Sequence, residues 1–160
     1  MKIRPAKPED RCAMQALEKH AATAAHWTDA DYRKIFDAPA LQTDWRRIAL
    51  VIEEKKIEEE ANVQGFLVAQ TVGGEWEIEN VAIAPDARRR GLGTRLVGEL
   101  LNMAQAQAAS AVFLEVRESN HAARALYEKW AFVESGRRAK YYRDPEEDAI
   151  VFKFTFPSND

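Results

Sequence analysis

The stretch from Asn80 to Val116 constrains the fold most, because it joins a strand, a glycine loop, a long helix and a second strand. The first strand ends at Pro85, and Gly91 and Gly93 lie where the helix begins. A helix and its loops are long enough to connect neighbouring parallel strands by a right-handed crossover. The helix is expected over Gly93–Ala108, since Leu92, Leu96, Leu100 and Ala104 recur at a spacing of four residues.

Shorter β-rich runs surround this unit on both sides. The expected strands are Lys2–Pro5, Ile48–Ile52, Val63–Val72, Glu75–Ala84, Ala111–Val116, Val133–Tyr142 and Ala149–Phe156. Further helices are expected from Pro8 to about Ala25, after a cap at Thr28 or Asp29, and from a cap at Ser119 or Asn120 to Trp130. This order predicts an α/β (α+β) protein with a mixed central sheet of about seven strands and about four flanking helices, in one domain over residues 1–160.

Composition limits the classes of protein to which the chain can belong. Hydrophobic residues make up 46% and charged residues 31% of the 160 residues, which is typical of a globular domain. No stretch approaches the roughly 20 apolar residues of a membrane span, and the charged N-terminus lacks the apolar middle of a signal peptide, so we expect a cytoplasmic protein. The single cysteine, Cys12, excludes an internal disulfide and is expected to pack inside a helix. His20, His26 and His121 are scattered, so we expect no metal.

The loop between Pro85 and Thr94 has the chemistry of an anion-binding site. Glycines let backbone N–H groups approach a phosphate, and the start of a helix carries about half a positive charge. It is neither a P-loop nor a dinucleotide fingerprint, because position 96 is leucine and no Gly-Lys-Ser/Thr sequence follows. A plain basic loop is the alternative interpretation, but the strand before the loop and the amphipathic helix after it favour a pyrophosphate cradle. The net charge of −3 argues against nucleic-acid binding through Arg88–Arg90.

The spacing Arg88-x-x-Gly91-x-Gly93 resembles the Q/R-x-x-G-x-G/A signature of the GNAT acetyltransferases. The resemblance implies that acetyl-CoA is the co-substrate, and that its pantetheine arm lies between a splayed pair of parallel strands. It also implies the residues that bind acetyl-CoA: Val81, Ala82, Ile83, Arg88, Arg89, Arg90, Gly91, Leu92, Gly93, Thr94 and Asn120.

Later segments resemble one group within this family, the RimI-type ribosomal-protein alanine N-acetyltransferases. The likeness is carried by the sequences LEVRESN at 114–120, ALYE at 125–128, YY at 141–142 and EDAI at 147–150. It implies acetyl transfer to the N-terminal alanine of a small-subunit ribosomal protein. The chain departs from the group at Trp130-Ala131, where Leu-Gly is usual; alanine there implies strain or a changed turn, because glycine readily adopts a left-handed cap.

Two residues are the principal catalytic candidates under this resemblance. Glu115 is the expected general base, acting through water, and burial would suit that role. The alternatives are a structural carboxylate paired with Arg117 and an exposed charge at the strand end. Tyr127 is the expected general acid, two helical turns after the cap at Asn120; the alternative is core packing. Glu77, with Glu79 on the same strand face, is a reserve base whose alternative is a solvated strand face.

The acceptor site is the part that the sequence defines least. Trp27, Tyr32 and Tyr141 are candidates for framing a peptide slot, with packing as an equal alternative. The glutamate-rich segment Glu53–Glu60 is either a surface that attracts a basic tail or a solvated loop. Two other functions stay open: a GNAT enzyme acting on a small-molecule amine or a protein lysine, and a non-catalytic acyl-CoA-binding module. A monomer or weak dimer is expected.

Overall fold

The structure is a computed structural model that describes residues 1–21, 26–37 and 45–158. The strands are β1 Lys2–Pro5, β2 Arg46–Glu54, β3 Asn62–Val72, β4 Glu75–Ile83, β5 Ala111–Arg117, β6 Val133–Tyr142 and β7 Glu147–Thr155. The helices are α1 Arg11–Lys19, α2 Asp29–Lys34, α3 Leu92–Ala106 and α4 His121–Lys129, with short 3₁₀ turns at Pro8–Asp10 and Pro85–Ala87. The expected mixed α/β architecture is confirmed.

All seven strands form one sheet in the order β1-β2-β3-β4-β5-β7-β6. Every neighbouring pair is antiparallel except β4 and β5, which are parallel and are connected by α3. The parallel pair is therefore the place where the chain needs its crossover, as the strand–helix–strand order predicts.

The centre of the sheet is covered on both faces. Four consecutive residues of β3, Phe66–Ala69, are completely buried, and successive side chains of a strand point to opposite faces. α1 packs against β3 and β4, and α3 packs against β2, β3 and β4. The core is therefore continuous around the strands that carry the site.

The first helix is shorter than the sequence suggests. α1 ends at Lys19, and the N–H groups of His20 and Ala21 close its last turn on Leu17 and Glu18 carbonyls. The expected end near Ala25 is wrong for this reason, although residues 22–25 themselves lie outside the described residues. Cys12 faces solvent rather than the core, because Met14 and Leu17 occupy the buried side of α1. None of the described helices is both long enough and apolar enough to span a membrane.

The end of α4 fixes the start of α3. Ala131 adopts a left-handed conformation with φ 66°, so alanine takes the cap that glycine usually takes, at some cost in strain. The indole N–H of Trp130 donates to the Thr94 carbonyl at 3.1 Å. Its ring covers Gly98, where an added Cβ would lie 2.8 Å from Trp130 Cζ2. The pair Trp130–Gly98 thus lets α4 approach α3 closely.

Candidate active site

The parallel strands separate halfway along their length. The β4–β5 register runs from Glu75 opposite Ala111 to Ile78 opposite Leu114 and ends there, although both strands continue. At the same point β4 carries a bulge, because Ile78 and Asn80 pair with the adjacent residues Ala69 and Val68 of β3. Glu79 is the extra residue. The bulge turns β4 away from β5 and opens a gap between them.

A cavity of about 700 Å³ occupies this gap. Its walls come from the second half of β4, the arginine–glycine loop, the start of α3, the end of β5 and α4. Of the eleven residues expected to bind acetyl-CoA, all except Arg90 line it. Arg90 instead forms a bidentate ion pair with Glu54, with its Nη2 2.9 Å from Glu54 Oε1.

The start of α3 fits a diphosphate. Gly91 caps the helix in the left-handed region (φ 74°), and no side chain accepts from the first turn of the helix. Within the described part of the chain, the backbone N–H groups of Leu92, Gly93 and Thr94 donate no hydrogen bond, and these three residues line the cavity. A Cβ at Gly93 would lie 3.3 Å from Leu126 Cδ2 and narrow the cavity. These free donors, the helix dipole and Arg89 together suit an anionic ligand.

Tyr127 lines the first cavity. Only 7% of the residue is exposed, and its ring packs edge-on against Phe132 with centroids 5.6 Å apart. Burial raises the pKa of the Tyr127 phenol above its ordinary value of 10.0, so the hydroxyl is protonated near neutral pH. Tyr127 belongs to α4, and the start of this helix is capped by Asn120, whose Oδ1 accepts a hydrogen bond from the Ala123 N–H at 3.2 Å.

A second cavity, of about 320 Å³, adjoins the first across β5. Leu114 and Glu115 line both cavities, so the cavities meet at these two residues. Glu115 Oε1 is 2.6 Å from Nε of Arg138, which lines the second cavity. The alternative pairing with Arg117 is wrong, because Arg117 binds Glu147 and its guanidinium lies 4.4 Å from the centre of the Tyr142 ring.

A family model described as the acetyltransferase (GNAT) family matches residues 13–132. The chain belongs to the GNAT acetyltransferases. This confirms the resemblance drawn from the glycine loop and, at the level of the family, the acyltransferase class with acetyl-CoA as co-substrate. The GNAT fold also accounts for the splayed parallel pair.

Among relatives, the [ribosomal protein bS18]-alanine N-acetyltransferase of Escherichia coli K12 is 37% identical over 98 residues, which are 60% of this chain and 66% of that protein. The protein of the same name from Haemophilus influenzae is 39% identical over 99 residues, 60% of this chain and 67% of its own. The first alignment thus spans just under two thirds of the Escherichia coli protein. These names confirm the resemblance to RimI-type enzymes.

Solved structures cover the chain more fully. The ribosomal-protein-S18-alanine N-acetyltransferase of Escherichia coli superposes with a TM-score of 0.78 at 26% identity, covering 99% of this chain and 97% of that one. Arabidopsis thaliana NAA60 in complex with acetyl-CoA has a TM-score of 0.84 at 15% identity, covering 96% and 97%. The second likeness shows the GNAT fold alone.

The reserve base candidates of this GNAT site lie apart from each other. Glu77 lines the second cavity, where its Oε2 accepts from Gln70 Nε2 at 3.0 Å. Glu79 lines the first cavity and is held by Arg47 through two hydrogen bonds of 2.9 and 2.8 Å. Glu79 is therefore held at the bulge by Arg47, whereas the Glu77 carboxylate has no ion pair with any described residue.

The three acceptor-site candidates are in different environments. Tyr32 is completely buried and packs with Asn80 and Glu18, and burial raises the pKa of its phenol. For Tyr32 the packing alternative holds, so its assignment to a peptide slot is corrected. Trp27 is half-buried, 5.5 Å from the Tyr32 ring. Tyr141 is exposed beside the second cavity, next to Glu115 and Arg138.

Sequence reasoning missed several residues of the site. Arg47 lies between two indoles, 5.2 Å from the Trp27 ring and 5.4 Å from the Trp45 ring, while it holds the bulge. Arg138 and Tyr142 line the cavities, and burial raises the pKa of the Tyr142 phenol to about 12. The doublet at 141–142 was a signal for Tyr142; nothing local singles out either arginine. Groups of His, Cys, Asp and Glu arranged to hold a metal do not occur within the described ranges.

Proposed function

We propose that this GNAT protein transfers the acetyl group of acetyl-CoA to the N-terminal α-amine of a protein, with the N-terminal alanine of a small-subunit ribosomal protein as the acceptor. The meeting of two cavities at Glu115 supports this proposal. One cavity carries the diphosphate-type helix start and Tyr127, and the other is lined by Glu77, Glu115 and Arg138. The relatives named above act, by their names, on ribosomal protein bS18. Acetylation of a ribosomal protein implies that the enzyme acts in the cytoplasm.

An α-amine suits the limited base assistance that the site offers. An α-amine has a pKa of about 8, so roughly a tenth is neutral at pH 7, whereas a lysine of pKa about 10.4 is neutral only a few times in ten thousand. Glu115 is the group placed to receive the amine proton through a water molecule. One carboxylate oxygen is bound by Arg138, which fixes the orientation of the carboxylate for the proton relay.

Acetyl-CoA supplies the thioester carbonyl that the amine attacks and the thiolate that leaves. The N–H of Val81 or a neighbour, on the splayed half of β4, is the donor for the carbonyl oxygen. Tyr127 donates its phenolic proton to the departing sulfur and recovers one from solvent. The new bond is nitrogen to carbon, the broken bond is carbon to sulfur, and the proton lost by the amine balances the one gained by the thiol.

Competing acceptors are separated by a direct assay. Purified protein and acetyl-CoA are incubated with an alanine-starting basic peptide, with the same peptide blocked at its N-terminus but carrying a lysine, and with spermidine. Thiol release gives the rate and mass spectrometry gives the site. We expect kcat/KM to be highest for the free N-terminus by more than tenfold, and faster turnover of spermidine or lysine would refute the proposal.

A small-molecule amine is the second candidate, favoured by one observation. Three carboxylates, Glu75, Glu77 and Glu115, line the second cavity with one guanidinium, Arg138, and such a wall attracts a polyamine. The spermidine arm tests it. A non-catalytic acyl-CoA module would instead show a thermal shift with acetyl-CoA and no thiol release with any amine. In cells, mass spectrometry of ribosomal-protein N-termini with and without this protein tests the acceptor itself.

A further inference from the structure

Arg138 is the most unusual group near the reaction centre. It comes from β6, and its Nε lies 2.6 Å from Glu115 Oε1. Its guanidinium carbon is 5.6 Å from the centre of the Tyr141 ring. The Glu115 side chain is 18% exposed, but the Arg138 side chain is 59% exposed. The head group is thus held at one edge by the candidate base and lies along the second cavity, which it lines.

Only one edge of that guanidinium is used. The shortest contact between Arg138 and Glu115 is through Nε, and no hydrogen bond from Nη1 or Nη2 of Arg138 is found across the described ranges. Arginine has five N–H donors in a planar fork. The four donors on Nη1 and Nη2 are therefore free for a ligand that reaches Glu115.

A peptide N-terminus presents a hydrogen-bond acceptor close to its reacting amine. The carbonyl oxygen of the first residue lies three covalent bonds from its α-amine, or roughly 3 Å away by standard backbone geometry. A lysine side chain or a polyamine has only methylene groups at this position, so it offers nothing to these donors.

We propose that Arg138 is a specificity-determining residue that hydrogen-bonds the first carbonyl of the acceptor peptide while it holds Glu115. This inference rests on the proposed function, because it assumes a peptide N-terminus in the second cavity. It explains how one side chain favours α-amines: the same guanidinium orients the base and recognises the atom that only an α-amino carbonyl compound carries.

The test changes each side of the proposed contact separately. The substrate is an alanine-starting peptide, compared with the same peptide in which sulfur replaces the first carbonyl oxygen, since a thiocarbonyl is the weaker acceptor. The enzymes are the wild type and Arg138→Met, which keeps the stem on Tyr141 and removes the donors. An effect of the substitution on Glu115 changes the rates of both peptides alike, and an effect of sulfur on the amine changes the rates of both enzymes alike. Both effects cancel when the oxygen-to-sulfur preference in kcat/KM is compared between the two enzymes.

We expect the wild type to prefer the oxygen peptide in kcat/KM by about fivefold, less than the roughly tenfold effect of losing a whole hydrogen bond from a charged donor, because a thiocarbonyl still accepts weakly. We expect Arg138→Met to show no preference. Arg137→Met is the matched control. Arg137 is the neighbouring arginine on β6, binds Glu118 and Asp148, and lines neither cavity. It should keep the fivefold preference.

The outcomes separate the two proposals. An equal oxygen preference in wild type and Arg138→Met overturns the role of Arg138 and leaves the proposed function intact. A wild type that acetylates neither peptide but does acetylate spermidine overturns both. Where Arg138→Met has a lowered melting temperature, Arg138→Gln, whose amide is too short to reach past Glu115, is measured in its place with the same expectation.

Discussion

Replacing Tyr127 with phenylalanine separates its chemical role from its packing role. The ring contacts, to Phe132 at 5.6 Å and to Phe152 at 6.4 Å between centroids, involve only carbon atoms and survive the change. The hydroxyl makes no hydrogen bond to any described side chain and is not among the fully buried polar atoms that lack a partner; it therefore reaches into the cavity. Its removal should change the free energy of unfolding by less than about 0.5 kcal/mol.

The expected effect on rate is much larger. General acid catalysis contributes roughly 10² to 10⁴ in rate. A thiol of pKa about 8.5 leaves more easily than an alcohol, which places this case near the lower end, about 10²-fold or about 2.7 kcal/mol of barrier. We expect kcat to fall by about that factor, while the calorimetric Kd for acetyl-CoA stays within about twofold.

The assay is thiol release at saturating peptide, together with a thermal melt and titration with acetyl-CoA. Tyr142→Phe is the matched control, because Tyr142 also lines the cavity but packs under Arg117. Since burial keeps the pKa of Tyr127 above 10.0, the wild-type rate should not decline between about pH 7 and about pH 9 through loss of this proton. Wild-type turnover by Tyr127→Phe, or an equal loss in both variants, would refute the assignment.

Three further changes test the base, the packing of the helices and the charge balance. Glu115→Gln should lower kcat/KM about 10²-fold with acetyl-CoA affinity unchanged, and a wild-type pH–rate profile in this variant removes Glu115 from the mechanism. Gly98→Val forces atoms into the Trp130 ring, 2.8 Å from the first added carbon, and should destabilise the fold by about 1–3 kcal/mol; an unchanged melting temperature would contradict the observed contact. Arg4 lowers the pKa of Asp10 below 3.8, so this carboxylate stabilises the fold above that value and loses the effect as pH falls through its folded-state pKa. The difference in unfolding free energy between wild type and Asp10→Asn, from urea titrations, should shrink from about pH 5 to about pH 2; a constant difference would show that the ion pair is not its source.

Local patterns were sufficient for the part of the site that one segment builds. The strand, the glycine loop and α3 follow each other along the chain, so periodicity and turn chemistry predict their order, and proximity in sequence puts their residues on one cavity wall. The Asn120 cap is local in the same way. At position 131 the sequence left strain or a changed turn open for alanine, and the structure shows the left-handed conformation.

The residues that sequence reasoning missed are those whose partners lie on distant strands. Arg138 reaches Glu115 only because β7 lies between β6 and β5 in the sheet. Arg47 holds Glu79 across 32 positions. Tyr32 is an aromatic residue of the kind that often lines binding sites, but it is completely buried, and its hydroxyl contacts Asn80 of β4. Charge and residue type along the chain do not distinguish such pairs from surface ions.

The bulge at Glu79 connects the energetics of the fold with the chemistry of the site. Beyond Ile78, β4 is no longer paired with β5. The backbone N–H and C=O groups of β4 that face β5 there need other hydrogen-bond partners. Arg47 braces the bulge from one side, and Asn80 is anchored to Glu18 at 3.3 Å while its own Oδ1 finds no partner in the described residues. A separation that leaves buried polar groups unpaired is destabilising unless a ligand completes them. Binding of acetyl-CoA should therefore stabilise the folded chain as well as supply the acetyl group, and the stabilisation should grow logarithmically with its concentration above the Kd.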